Sequence, residues 1–282
     1  MTVQSLYREV RQALGDLPGA DPAFESALLI EQVFGVGREF LFSGRDAAAS
    51  PENAAALRAL CARRLNGEPL QYLLGEWEFF GLPFEVGPGV LIPRPETELL
   101  AEQALSFARS LHAPLLLDLC SGSGCIPIAL GHALPAARVW GAELSAEAFA
   151  YFVRNLQRSG LKNVTPVQAD VFALPDTLTC RLYDVITANP PYIASGALET
   201  LQKEVRREPV LALDGGPDGL DFYRQLPGIC LPLLRPGGAL LLEIGDEQGA
   251  AVSALLREAG YHAVRILQDF FGLDRIAAGV RP

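Results

Sequence analysis

The sequence predicts an α/β protein, a mainly parallel sheet covered by helices on both faces, preceded by a small all-helical domain. Three observations carry this expectation. From Pro95 onward, strand-length apolar runs alternate with segments whose apolar residues recur at helical spacing. A glycine-rich stretch, Asp118 to Gly124, stands between such a run and such a segment. Residues 1–74 carry only short-helix signals. A chain of 282 residues accommodates one large domain or two ordinary ones.

Taken in order, Asp21-Pro22 is a helix start, with proline at the first helical position, and Gly35 stops the apolar periodicity of Phe24 to Phe34. Ser50-Pro51 starts a second helix that runs to Leu65 and ends at Asn66-Gly67, where glycine supplies a left-handed cap. Trp77 to Val86 reads as a β-hairpin turning at Gly81-Leu82-Pro83, and Gly87-Pro88-Gly89 leads into Val90-Leu91-Ile92. This stretch, residues 75–95, is placed as the linker between a helical domain (1–74) and a larger domain (96–282). A helix follows Thr97, with Leu100, Ala104, Phe107 and Leu111 on one face. Then come a strand at Leu115-Leu116-Leu117, a helix from Gly124 to Leu134, a strand from Arg138 to Ala142 and a helix capped by Ser145 that runs to Ser159. Val164 to Ala169 and Tyr183 to Ala188 are strands, a helix begins near Asp221, and Ala239 to Ile244 is a strand after the turn Arg235 to Gly238. Tyr261 to Val280 reads as a helix exit and two strands.

Composition narrows the function classes. Half the residues are apolar and a fifth charged, a globular balance rather than a disordered one. The formal net charge of −10 argues against a broad phosphate-binding surface, because duplex affinity comes largely from Lys and Arg neutralising phosphates. The basic residues placed to gather locally are Arg63, Arg64, Lys203, Arg206 and Arg207. No stable nucleic-acid partner is expected. No apolar run approaches the roughly 20 residues that span a bilayer, so no membrane partner is expected either. The start, Met1-Thr2-Val3-Gln4, lacks the basic and apolar regions of a signal peptide, and the chain reads as cytoplasmic. The five cysteines are irregularly spaced with no C-x-x-C pair, which points to reduced, mostly buried thiols and to no metal site.

The glycine-rich loop selects a ligand class. The dinucleotide fingerprint G-x-G-x-x-G fails at Pro127, where its third glycine would stand, and the G-K-[ST] ending of a P-loop is absent. An acidic residue leading into a D/E-x-G-x-G-x-G loop is instead the pattern of S-adenosylmethionine (SAM)-dependent methyltransferases. Asp118 supplies the carboxylate, near where the methionine amino group would lie, and Ser121, Gly122, Ser123 and Gly124 complete the loop. Cys120 departs from the pattern by replacing a usual glycine with another small residue. Glu143 ends the second strand, where a carboxylate accepts both ribose hydroxyls. Asp170 at the end of the third is placed to accept from the adenine amino group, with Val171 and Phe172 offering apolar faces to the ring. Ligands bind at the carboxyl ends of strands in open α/β sheets, and these three strand ends are in sequence order.

The fourth strand ends in Asn189-Pro190-Pro191-Tyr192. Two consecutive prolines make a rigid, extended turn with few backbone donors. The Asn189 side-chain oxygen and the Pro190 carbonyl are then placed to accept the two N–H groups of a planar NH2. That holds a poorly nucleophilic nitrogen against a methyl donor and favours the charge developing on it, while Tyr192 stacks on the flat group. No strong base is required, and His112, His132 and His262 are scattered and receive no role. At this level the planar nitrogen is that of an adenine or of a glutamine amide. An adenine methyltransferase would need a basic groove and a target-recognition segment, and neither is apparent. A non-catalytic SAM-binding adaptor is the third reading.

Further blocks carry a resemblance. Leu91 to Glu98 (LIPRPETE), Asp118 to Gly124, Asn189 to Tyr192, Glu208-Pro209 with Ala212 to Gly216 and Asp218 to Leu220, Leu242 to Gly245, and Asp269 with Gly272 to Arg275 occur in order over nearly the full length. In this the chain resembles the release factor glutamine methyltransferase family, PrmC or HemK. The resemblance implies a class I SAM-dependent methyltransferase: a Rossmann-like domain with a mainly parallel seven-stranded sheet, SAM as cofactor and S-adenosylhomocysteine as product. It implies a substrate, the glutamine of the Gly-Gly-Gln motif in bacterial class-1 peptide release factors, methylated at N5, with the helical domain helping to hold the release factor. It also implies site residues. Asn189, Pro190, Pro191 and Tyr192 contact the glutamine, with Asn189, Pro190 and Tyr192 catalytic, and Cys120 to Gly124, Glu143, Val171 and Asn189 line the SAM site. A related family that modifies a glutamine of a large-subunit ribosomal protein shares a cysteine in this loop, whereas Pro93 to Thr97 favours the release-factor branch.

Overall fold

The structure, a computed structural model, describes residues 1–43 and 46–282. It divides into two compact units, Met1–Glu76 with Gln202–Arg207, and Trp77–Leu201 with Glu208–Pro282.

The first unit is helical: α1 (Val3–Ala13), α2 (Pro22–Phe34), α3 (Arg38–Phe42), α4 (Pro51–Leu65) and α5 (Leu70–Leu74). The start signals act as read. Asp21 accepts from the Ala23 and Phe24 amides, Ser50 accepts from Asn53, and α2 stops at Gly35 with φ +65°. α1, capped by a Thr2–Ser5 capping box, was not singled out in the sequence although Val3, Leu6, Tyr7 and Val10 form a buried stripe. Leu6, Val10, Leu29, Ile30 and Leu57 close the core of this unit. Arg64 is buried within it and paired with Glu25 at 2.7 Å and Glu204 at 2.6 Å. Arg63 binds Glu68 at 2.5 Å, and Arg207 donates to the Asn66 carbonyl at 3.4 Å. Three of the five basic residues placed to gather locally therefore serve internal contacts.

The second unit opens with a hairpin of β1 (Glu76–Phe79) and β2 (Leu82–Glu85). Its turn is Phe80-Gly81, both at positive φ, the two-residue turn that matches strand twist. It begins one residue earlier than the sequence expectation. The hairpin is no linker: Phe79 and Phe84 are each 1% exposed and belong to the main core. Then follow α6 (Thr97–Ala108), β3 (Leu115–Leu119), α7 (Cys125–Ala133), β4 (Arg138–Glu143), α8 (Ala146–Ser159), β5 (Val164–Gln168), α9 (Asp176–Thr179), β6 (Tyr183–Ala188), α10 (Asp221–Cys230), β7 (Leu234–Glu243), α11 (Gly249–Glu258), β8 (His262–Gln268) and β9 (Asp274–Val280). Leu111, assigned to the buried face of α6, lies beyond the helix end and is exposed. β7 starts ahead of the expected turn at Arg235 to Gly238 and carries it as an irregularity in its pairing with β6.

Seven strands form one sheet in the order β5-β4-β3-β6-β7-β9-β8. β5, β4, β3, β6 and β7 run parallel, and β9 pairs antiparallel with both β7 and β8. Leu116, Val139, Val185 and Leu241 face one core layer with Leu100, Ile126 and Phe152 from α6, α7 and α8. Leu117, Ala142, Ile186 and Leu240 face the other with Tyr223, Leu226, Val252 and Leu256 from α10 and α11. Strand order reverses between β3 and β6, so a crevice opens at their carboxyl ends.

Candidate active site

The Asp118–Gly124 loop leaves β3 at that switch point. Asp118 is wholly buried and faces the Thr187 position of β6 in register. Its Oδ1 accepts from the Thr187 hydroxyl at 2.6 Å and its Oδ2 from the Ser121 hydroxyl at 2.7 Å. Burial pushes this carboxyl up to about 7, against the pull of the two hydroxyls. Asp118 thus binds the loop to the sheet and is not part of the cavity wall. This differs from the expectation of a carboxylate presented to the ligand, because both oxygens point into the protein.

Cys120 holds φ +58°, the left-handed conformation that glycine adopts freely, so the usual glycine at this position is a backbone requirement that cysteine meets under strain. Burial, with Glu143 and Asp118 beside it, raises the thiol well above its ordinary range. It stays protonated and acts as a small neutral side chain. Gly122 (φ +54°) has open space where a side chain would begin. Gly124 (φ +80°) is packed against the ring of Phe152, 2.1 Å from where a Cβ would sit. Glu143 is 8% exposed; its Oε2 accepts from the Gly122 amide at 2.7 Å and its Oε1 from the Ser145 amide at 2.8 Å. Burial raises its pKa. Each oxygen keeps a second lone pair for a hydroxyl donor.

A cavity of about 220 Å³ opens here. Of the residues named from sequence, Cys120, Gly122, Glu143, Asp170, Val171, Phe172, Asn189 and Pro191 wall it. Ser121, Ser123 and Gly124 lie behind the wall as buried loop supports. Asp170 spends Oδ1 on the Phe172 amide at 2.9 Å, which shapes the turn after β5. Phe172 lies 5.0 Å from Phe222 of α10, ring to ring, giving an apolar slot. Sequence reading missed Phe222, together with Leu144, Ser145 and Ala148 at the start of α8, Gly89 and Leu91 after the hairpin, and Pro209, Leu211 and Ala212. Leu144 to Ala148 directly follow Glu143 and were within reach of a strand-end argument. Phe222 carries no local signal, since only folding brings it to Phe172.

Asn189 to Tyr192 follow β6. Pro190 and Pro191 are buried and Asn189 and Tyr192 half-buried; Pro190 and Tyr192 do not wall the cavity. The loop is braced by backbone. The Ile193 amide donates to Leu213 at 2.9 Å and the Gly215 amide to Ile193 at 2.8 Å, while Gln248 Nε2 donates to the carbonyls of Tyr192 (3.0 Å) and Gly219 (3.1 Å). A Cβ on Gly219 would lie 2.3 Å from the Tyr192 oxygen, and one on Gly215 2.7 Å from the Tyr192 Cα, so these glycines let two backbones touch. Glu208 accepts from the Ile92 amide at 2.9 Å and pairs with Arg94, tying Leu91 to Glu98 to the chain after the loop. Burial pushes the Tyr192 phenol up to about 12, so it stays neutral. The Asn189 side chain donates through Nδ2 to the Thr97 hydroxyl at 3.2 Å. Its Oδ1 is the end left to accept.

Among the described residues, no three His, Cys, Asp or Glu side chains gather as a metal group, and no helix is long and apolar enough to cross a membrane. A family profile described as the PrmC N-terminal domain matches residues 5–75, and one described as a methyltransferase domain matches residues 116–214. The chain is 41% identical over 279 residues to a release factor glutamine methyltransferase of Geobacter sulfurreducens, covering 99% of this chain and 96% of that protein. A protein of the same description from Moorella thermoacetica is 41% identical over 275 residues, 94% of this chain and 96% of the relative. The solved structure of a methyltransferase from Pyrococcus furiosus aligns with a TM-score of 0.51 at 19% identity, covering 78% of this chain and 96% of that one, a likeness of fold.

Proposed function

Because the chain belongs to the release factor glutamine methyltransferase family, we propose that it methylates N5 of the Gly-Gly-Gln glutamine in bacterial class-1 release factors, with SAM as donor, in the cytoplasm. The observation that carries this reading is Asn189, held at a cavity wall with its amide nitrogen committed to Thr97 and its oxygen left to accept.

The residues present fit SAM. Gly122 leaves open space for a close approach, Glu143 has lone pairs for two hydroxyls, and Phe172 and Phe222 offer flat apolar surface to an adenine ring. Cys120 and Asn189 wall the same cavity. When bound, SAM supplies an electrophilic methyl group. The protein's task is to make a poor nucleophile meet it, since a glutamine amide nitrogen shares its lone pair with the carbonyl. Asn189 Oδ1 and the Pro190 carbonyl each accept one N–H, which orients the nitrogen and favours positive charge on it. Tyr192 and the two prolines flank the planar group. Asp118 acts indirectly, by holding the loop to β6. The methylated nitrogen is strongly acidic and loses its proton without a dedicated base.

The test is mass spectrometry of the Gly-Gly-Gln peptide after a class-1 release factor is incubated with this protein and SAM. One added methyl on the glutamine is expected. Equal incorporation into a release factor whose glutamine has been replaced would overturn the assignment.

A further inference from the structure

We propose that Glu208 is a positioning residue for SAM binding, because its one buried carboxylate joins two stretches of the cavity wall that lie far apart in sequence. The inference rests on the reading of this cavity as the SAM site and deepens it.

Two groups of wall residues lie outside the sheet and the α-helices: Gly89 and Leu91 after the hairpin, and Pro209, Leu211 and Ala212 after the catalytic loop. Glu208 stands directly before Pro209. Its Oε2 accepts from the Ile92 amide, the peptide that follows Leu91, at 2.9 Å, and its Oε1 pairs with the Arg94 guanidinium. The Glu208 side chain is 1% exposed and that of Arg94 31%. A buried carboxylate with one oxygen on a backbone amide and the other on a guanidinium is held by two charge-assisted bonds and has little freedom to move. The residue before one wall stretch is thereby fixed to the end of the other.

The near end of the Pro209–Ala212 strap depends on this tie. Gln202–Arg207 belong to the helical unit, so Glu208 is the residue at which the chain re-enters the second unit. Val210 and Leu211 are 58% and 56% exposed, so apolar burial holds the strap weakly. The Ala212 amide donates to the Pro209 carbonyl and the Leu213 amide to the Val210 carbonyl, each at 2.9 Å, and these bonds are local to the strap. Its far end is fastened separately, where the Ile193 amide donates to the Leu213 carbonyl at 2.9 Å. With Glu208 in place the wall is ordered before SAM arrives. Without it, binding must order the strap, and that cost appears as lost affinity. Asn189 and Tyr192 are held by other contacts, through Thr97 and Gln248, so the loop that receives the glutamine stays braced.

The experiment measures SAM affinity by calorimetry for the wild-type chain, Glu208→Ala, Glu208→Gln, Arg94→Met and the double variant Glu208→Ala with Arg94→Met, at a temperature where circular dichroism shows each chain folded. Glu208→Ala should weaken SAM binding by about tenfold, the scale of one hydrogen bond to a charged group. Glu208→Gln keeps a carbonyl acceptor for one of the two donors and should recover part of the affinity. Arg94→Met should lose less than Glu208→Ala, and adding it to Glu208→Ala should cost nothing more, because Arg94 acts through Glu208. In methyl transfer to a class-1 release factor, KM for SAM should rise with the dissociation constant and kcat should fall less. Wild-type SAM affinity in a folded Glu208→Ala chain, equal loss in the Ala and Gln variants, or additive losses in the double variant would each overturn the inference while leaving the function reading intact. If Glu208→Ala does not fold, wild-type affinity in both Glu208→Gln and Arg94→Met overturns it instead. Absence of SAM binding by the wild-type chain would remove the SAM reading and this inference with it.

Discussion

Two glycines of one loop should fail in different ways when given a side chain. Gly124 sits at φ +80°, and a Cβ there would lie 2.1, 2.6 and 2.7 Å from three ring atoms of Phe152. That ring is 0% exposed and also lies across Gly141, where a Cβ would meet it at 2.6 Å, so it has little room to withdraw. Left-handed backbone costs an alanine about 1–2 kcal/mol. Overpacking a buried ring adds about 1–3 kcal/mol. Gly124→Ala should therefore destabilise the second unit by roughly 2–5 kcal/mol. Gly122 has φ +54° and nothing within 4 Å of the added atom. Gly122→Ala should cost only the backbone strain, about 1–2 kcal/mol, yet place a methyl group on the cavity wall. Urea denaturation without ligand, with SAM affinity by calorimetry, separates the two. The expected result is a large midpoint loss for Gly124→Ala, and for Gly122→Ala a small one with SAM binding weakened about tenfold or more. Equal destabilisation by the two substitutions, or a Gly124→Ala chain as stable as wild type, would refute the packing argument.

Asn189→Ala should retain SAM binding and lose turnover by about a hundredfold or more, as when an oriented acceptor or donor is removed from an active site; unchanged turnover removes Asn189 from the chemistry. Asp118 should make stability depend on pH. Its folded value of about 7 lies above the ordinary 3.8, so the folded chain binds more protons between those values and stability is lost as pH rises through that window. The thermal midpoint without ligand should rise on going from pH 8 to pH 6, and the slope should shrink in Asp118→Asn. Arg64→Leu should strand Glu25, 6% exposed, beside Glu204 and cost the helical unit about 3–5 kcal/mol in urea denaturation.

Local chemistry made much of this protein legible before folding was considered. Helix starts at Asp21-Pro22, Ser50-Pro51 and Ser145 follow from one side chain capping nearby amides, and the buried parallel strands announce themselves as short apolar runs. The loop around Gly122 and the turn at Asn189 were legible because their residue types fix backbone shape within a few positions. Cys120 was readable as a departure from a pattern, although only its φ of +58° shows that the departure is borne as backbone strain. The hairpin was legible as a hairpin but not as core, since Phe79 and Phe84 join a buried cluster with residues of α6, α7 and α8.

What sequence alone determined was the fold class and the order of the strand ends that build the site, because periodicity and turn chemistry act over a few residues. What only the tertiary structure decided was the direction of each carboxylate and amide. Asp118 was read as presenting its carboxylate to a ligand, and folding pairs that carboxylate with Thr187 on the neighbouring β6 and with Ser121. Phe222 reaches the turn at Phe172 from α10, and Thr97 at the start of α6 accepts from the Asn189 amide. The physical reason is the same in each case. A polar or aromatic side chain points toward whichever partner folding brings within hydrogen-bond or contact distance, and those partners lie tens of positions away in the chain.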